Sequence, residues 1–381
     1  MNRASNQIKR NFKYCCFLLI LNLNVFAKPL AVIEINNDTK VDRNQVLITV
    51  PYLKIADKIG PEFPFKLVDK NTGKELPYQL ETLGNSQPQN LLILLSCKAN
   101  TKLLILINKG VPTAVKALTF GRYVPERLDD FAWENNKIAF RMYGSALETN
   151  VGNAFGIDVW AKRTPELVIN KWYKNDDYHK DNGDGLDYYG VSKTMGAGDI
   201  ATYVKDSIGY TNNYKTWKVL DNGPLRTTFE LSYLPKNAGN LKYIVVKRIS
   251  IDAGSQLNKV DVKFAFEGNS KLPIIIGIAK RNGADAILLN KEQNMMGYWE
   301  PNSIENGTIG VGCIFLSPAK SMDVKANQLI STFTVSSNQT FAYYTGASWS
   351  KAQEISNSMD WFNYLTKFNF QIQHPLLVTI L

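Results

Sequence analysis

The stretch Lys259-Val-Asp-Val-Lys-Phe-Ala-Phe266 alternates without a break. Val260, Val262, Phe264 and Phe266 fall on one side of an extended chain, and Lys259, Asp261 and Lys263 on the other, because successive strand residues point to opposite faces. A strand with one dry face and one wet face belongs to an antiparallel sheet packed on a core. Similar runs recur at Thr227 to Tyr233, Lys242 to Ile251, Pro273 to Ala279 and Phe333 to Tyr344, divided by Gly, Asn and Asp turns. A mostly β fold with a large antiparallel sandwich is predicted. One short helix is expected near Lys351 to Tyr364, before a closing strand through Phe368 to Leu381.

Toward the amino terminus, Asn90 to Ser96 and Lys102 to Ile107 are two apolar runs joined at Lys98-Ala-Asn100, which reads as a hairpin. They close a predicted small amino-terminal β-sandwich domain over residues 28–112. After Gly110-Val-Pro112 the chain becomes richer in aromatics and arginines, so a second domain is placed over 113–381. A chain of 381 residues is long enough for two such cores.

Arg3, Lys9, Arg10 and Lys13 precede an apolar run from Tyr14 to Phe26 that ends Val25-Phe26-Ala27. This predicts a signal peptide over residues 1–27, cleaved near Ala27, and a periplasmic or secreted protein without a membrane span. A lipoprotein is the competing reading, but Cys15 and Cys16 begin the apolar run rather than follow it. Cleavage leaves Cys97 and Cys313, enough for one disulfide and too few for a framework. It also removes four basic side chains and no acidic one, so the formal charge falls from +10 to +6. That excess is spread along the chain and suits acidic glycans better than nucleic acid.

The chain has no Walker loop, no G-x-G-x-x-G after a strand, no C-x-x-C, no H-E-x-x-H and no G-x-S-x-G. No cofactor and no metal are expected. Chemistry must then come from less standard groups. Asp176-Asp-Tyr-His-Lys-Asp-Asn-Gly-Asp-Gly-Leu-Asp-Tyr-Tyr189 holds one of the two histidines, His179, among acids, tyrosines and two glycines. It reads as a catalytic loop, as a calcium loop whose acidic spacing does not match the usual pattern, or as a solvated turn. Arg122, Arg127, Arg141 and Arg163 form a second group, since arginine grips a carboxylate bidentately. Most of them should instead pair with nearby acids, Arg127 for example with Glu126, Asp129 or Asp130. Tyr143, Trp160, Tyr188, Tyr298 and Trp299 are aromatic candidates for stacking on sugar or moving protons.

Several blocks together resemble one family. They are Phe120-Gly-Arg-Tyr-Val-Pro-Glu-Arg127 running on to Phe140-Arg-Met-Tyr-Gly144, Gly156-Ile-Asp-Val-Trp160, Asn170-Lys-Trp-Tyr173, Tyr178-His179 with Gly183-x-Gly-x-Asp187, Asn222-Gly-Pro-Leu-Arg226, and Arg248 with Asp252-Ala-Gly-Ser255. The resemblance is to the secreted bacterial family known as domain of unknown function 4861. It implies a galactose-mutarotase-like β-supersandwich and an activity like that of ulvan-pathway oligosaccharide dehydratases. Water would leave a non-reducing terminal uronic acid, giving a 4,5-unsaturated uronyl end that an unsaturated-glucuronyl hydrolase could cleave. The family's patterns map onto His179, Asp181, Gly183 and Gly185 and onto Arg141 and Tyr143, with Asp184 where a glutamate is expected.

The expected enzyme is a hydro-lyase. Abstracting the proton α to a carboxylate builds up negative charge that a cation must offset, and a base and an acid must handle the protons. His179, Tyr143, Arg141 and Tyr188 are the expected catalytic residues. Arg122, Glu126, Trp160, Asp187, Tyr298 and Trp299 are expected to bind an acidic oligosaccharide. A uronate lyase and a non-catalytic glycan-binding protein remain open alternatives.

Overall fold

The computed structural model describes residues 28–60, 64–149, 153–175, 177–268, 271–325, 327–352 and 354–381. The expected signal peptide lies outside the described residues. The alternating stretch behaves as its pattern dictates. Leu257–Phe266 is a strand whose Val260, Val262 and Phe264 are buried, while Lys263 is exposed. It lies between Leu241–Asp252 and Thr340–Trp349 in a nine-stranded antiparallel sheet. On the wet face Asp261 stands across from Arg248, which holds Glu230 on the next strand, and such cross-strand pairs help fix register. The dry face joins that of a five-stranded sheet, Ser207–Gly209, Ala197–Val204, Lys271–Ala279, Gln328–Ser336 and Ser321–Lys325, in one core through Phe229, Ile249, Val262, Ile274, Ile276 and Phe333.

A third, five-stranded sheet runs in the order Gly185–Asp187, Ile157–Lys162, Ala139–Met142, Asp130–Asn135, Thr119–Val124. Phe131, Trp133, Phe140, Val159 and Ala161 turn one face of it into the same core. The chain is therefore mostly β, a small amino-terminal sandwich followed by a large antiparallel supersandwich.

Three local expectations change. The strands Asn90–Cys97 and Thr101–Lys109 do not form a hairpin. The first pairs with Arg43–Pro51 and Tyr78–Glu81, the second with Ala31–Asn37 and Phe65–Asp69, so the connection crosses from one sheet of the small sandwich to the other. The Asn37 side chain fixes that crossing by donating to the carbonyls of Cys97 and Lys98, at 3.3 and 2.9 Å. The run expected as one strand from Phe333 to Tyr344 is two, split at a turn near Asn338, whose φ is 61°.

At the carboxyl end a helix occupies Ser358–Gln373, capped by the Asn357 side chain, which accepts from the Asp360 N–H. Trp361, Leu365, Phe368 and Ile372 recur at helical spacing and pack on the nine-stranded sheet, and Pro375 lies just beyond the end. Gly312 permits that approach, since a Cβ there would lie 2.6 Å from Leu365. Only Leu377–Ile380 remains as the closing strand, and it pairs with Ala31–Asn37, so both ends of the described chain meet in the small sandwich. Cys97 and Cys313 are free and buried in separate cores.

Candidate active site

The third sheet has a second face, and it is charged. Strand alternation that sends Phe140, Met142, Val159 and Ala161 inward sends Arg141, Asp158, Trp160 and Lys162 the other way, joined by Asp130, Glu134 and Asp187 from flanking strands. All seven are buried. They are roofed by the short helix Ile169–Asn175 and the loop that follows. Glu134 holds the roof, because its carboxylate accepts from the Val168 and Ile169 N–H groups at 2.9 and 2.8 Å and from Lys162 Nζ at 2.6 Å. Burial pulls the Lys162 pKa down, and Glu134 opposes that. Trp172, Tyr173 and Tyr178 close over Trp160, whose ring lies 5.3, 4.9 and 5.0 Å from theirs.

Arg141 is the hub, with 4% of its side chain exposed. Its Nε donates to Asp158 Oδ2 at 2.9 Å, and its Nη2 donates to Asp158 Oδ2 at 2.5 Å and Asp187 Oδ2 at 2.8 Å. Asp130 Oδ2 stands 3.6 Å from Nη1. Tyr143 donates to Asp158 Oδ2 at 3.1 Å. One guanidinium thus faces three carboxylates, with Arg127 3.8 Å from Asp130. The electrostatics follow from that count. Burial, and then the charge of Asp158, push the Asp187 pKa up. Burial lifts Asp130 to about 6 despite both arginines. Burial disfavours the Arg141 charge, yet Asp158 and Asp187 outweigh it and raise its pKa. Burial and Asp158 keep the Tyr143 hydroxyl protonated.

His179 sits above this cluster with 65% of its side chain exposed. Its ring stands over Tyr178 at 4.5 Å, and its Nδ1 is 3.0 Å from the Asp187 carbonyl oxygen and 3.7 Å from Asp187 Oδ2. A carbonyl only accepts, so Nδ1 must carry the proton, which leaves the lone pair of the neutral ring on Nε2. The loop beneath is tied down by its aspartates. Asp181 pairs with Arg163 and accepts from the N–H groups of Gly183 and Gly185. Asp184 pairs with Lys171, and the Asp187 N–H donates to the Tyr178 carbonyl at 2.7 Å. Gly185 has φ 125° and would drive a Cβ into the Ala161 carbonyl, so no other residue starts that strand against its neighbour.

The expected residues therefore divide. His179, Arg141, Tyr143, Asp187 and Trp160 come together, Trp160 as a buried wall. Arg122 and Glu126 lie at the edge, paired at 2.6 Å, with Arg122 over the Tyr173 ring at 5.5 Å. Tyr188 follows Asp187 on the opposite side of the strand and packs against the large core near Glu300 and Trp349, so the structure does not bring it to His179. Tyr298 is buried and bonds Asp285 at 3.1 Å and the Arg281 N–H at 2.8 Å. Trp299 packs beneath the carboxyl-terminal helix. Neither reaches the Arg141 group. Asp158, Asp130 and Tyr178 belong to the site without having been singled out for it. The signal for Asp158 was a lone acid in the apolar run Ile157 to Ala161. A cleft of about 300 Å³ lined by Tyr203, Asp206, Lys320 and Lys325 lies on the other five-stranded sheet, away from these groups.

A family model described as Domain of unknown function (DUF4861) matches residues 35–378. The chain belongs to that family. The match takes in every strand of the charged sheet and the His179 loop. Uncharacterized protein P7 of Formosa agariphila is 29% identical to this DUF4861 chain over 299 residues, covering 73% of each. Two solved structures from Enterococcus faecalis are similar in fold. One is described as a protein in the glycosyl hydrolase family 38, with TM-score 0.55 and 10% identity, covering 92% of this chain and 47% of that one. The other is an alpha-mannosidase, with TM-score 0.53 and 8% identity, covering 92% and 46%. The DUF4861 chain spans less than half the length of those two proteins.

Proposed function

We propose that this chain is a carbohydrate-active dehydratase that removes water from the non-reducing terminal uronic acid of acidic, ulvan-type oligosaccharides. The observation that carries the reading is the setting of His179, with Nδ1 held on the Asp187 carbonyl and its side chain mostly exposed above a charged, buried floor. Such a group is suited to act as a base. Nε2 takes the C5 proton, the C5–H electrons form the C4=C5 bond, and the C4–O bond breaks as its oxygen receives a proton and leaves as water. Tyr143, protonated across the physiological range, is the assigned donor. The glycan-processing proteins that share the fold favour a carbohydrate as substrate, at the level of fold analogy alone. The protein is read as working in the periplasm or outside the cell, without a cofactor. Its product would suit an unsaturated-glucuronyl hydrolase downstream.

Incubation with saturated, uronate-ended oligosaccharides tests this directly. The expected result is new ultraviolet absorbance from the conjugated alkene together with loss of one water and unchanged chain length. Fragmentation would replace the reading with a lyase, and binding without any mass change would replace it with a glycan-binding protein.

A further inference from the structure

We propose that Arg127 is the residue that recognises the substrate carboxylate, and that Arg141 beneath it is a positioning residue. This inference rests on the uronate reading of the same site. The arginines around His179 differ in what already occupies them. Arg141 is taken up by Asp158 and Asp187, Arg122 by Glu126 and the Tyr123 carbonyl, and Arg163 by Asp181. Arg127 has the Tyr178 hydroxyl beside it and no carboxylate within hydrogen-bond distance among the described residues. Its nearest carboxylate, Asp130, stands 3.8 Å from Nη1, an ion-pair distance too long for a hydrogen bond, and Nη1 is buried without an acceptor. The side chain as a whole is 31% exposed, so a ligand can reach it where it cannot reach Arg141. A carboxylate is the acceptor that a guanidinium fork matches.

The local backbone holds that fork in place. Arg127 ends the single turn Pro125–Arg127, and the next two residues, Leu128 and Asp129, have φ of 50° and 62°. Positive φ at consecutive non-glycine residues is unfavourable and persists only where surroundings enforce it. Here Tyr123 donates to the Asp129 carboxylate and Tyr214 to the Asp129 carbonyl. Burial works against the Arg127 charge most strongly of any single influence, but Asp130 and the adjacent Tyr178 hydroxyl together more than offset it and raise its pKa. The ring of that same tyrosine carries His179. Carboxylate anchor and base therefore flank one side chain. In a uronate the hydrogen to be removed sits on the carbon bonded to the carboxylate carbon, which requires that proximity.

Calorimetric binding of a saturated glucuronate-ended oligosaccharide and of its uncharged methyl ester, both in a His179→Ala background that prevents turnover, separates the possibilities. Arg127→Met should weaken binding of the acid on the order of 30-fold while leaving the ester within about twofold, and Arg127→Lys should fall between. Arg248→Met, which removes an equal charge from the Glu230 pair, should change neither. If Arg127→Met does not fold, Arg127→Lys carries the test through its acid-to-ester ratio. An unchanged ratio in a folded variant, with the parent still preferring the acid, overturns the role of Arg127 and leaves the uronate reading intact. A parent that does not prefer the acid overturns both.

Discussion

The loop at residues 177–185 and the sheet face beneath it use the same kinds of side chain to opposite ends. In the loop, Asp181 and Asp184 meet Arg163 and Lys171 across partly exposed pairs, and His179 is mostly in water. On the sheet, Arg141, Asp158, Asp187 and Asp130 are sealed from water and outnumbered in charge. Screening makes a charge in the first setting cheap to remove, and desolvation makes one in the second expensive. The upper region is therefore where function can be altered without loss of fold, and the lower region is where fold and function fail together.

Arg141→Met puts this contrast under the greatest strain. It leaves three buried carboxylates without their shared cation, and stability should fall by about 3–5 kcal/mol. A denaturant titration that moved by less than about 1 kcal/mol would mean that the cluster is wetter than its burial indicates. His179→Ala tests the other side. Turnover of uronate-ended oligosaccharide should fall about 10²- to 10⁴-fold, with stability changed by under about 1 kcal/mol. Retained turnover would remove His179 from the chemistry.

Asp130 sharpens the comparison through pH. Its folded pKa of about 6 lies above that of an unfolded aspartate, near 4. Between those values the folded state binds more protons than the unfolded state, so this group's contribution to stability falls as pH rises from about 4 to 6. Asp130→Asn should abolish that fall, changing the wild-type-minus-variant stability by on the order of 2 kcal/mol between pH 4 and 7. Parallel pH curves would contradict it. The smallest effect belongs to Lys171→Met, which breaks only the partly exposed pair with Asp184 and should cost under about 0.5 kcal/mol. A thermal melt displaced by many degrees would show that the loop anchors more than itself.

The residues of the site were unevenly legible. His179, Arg141 and Tyr143 stood out because their types were scarce or clustered in sequence, and the structure brings them together. Tyr188 stood out for the same reason and lies elsewhere, because one step along a strand reverses the direction of a side chain. Asp130 was weighed only as a neighbour for Arg127, and it proved equally to be a neighbour of Arg141.

What the sequence determined by itself was what depends on near neighbours. Alternation at 259–266 set which face of that strand is dry, and the apolar runs at 90–96 and 102–107 set that both are strands. Tertiary structure decided whom those strands join, placing the supposed hairpin in two sheets, and it carried the last strand back to the first. It also decided the charge of the site. A carboxylate's proton and an arginine's freedom depend on the desolvation and the charges that other strands impose from across the sheet, and no local pattern encodes those.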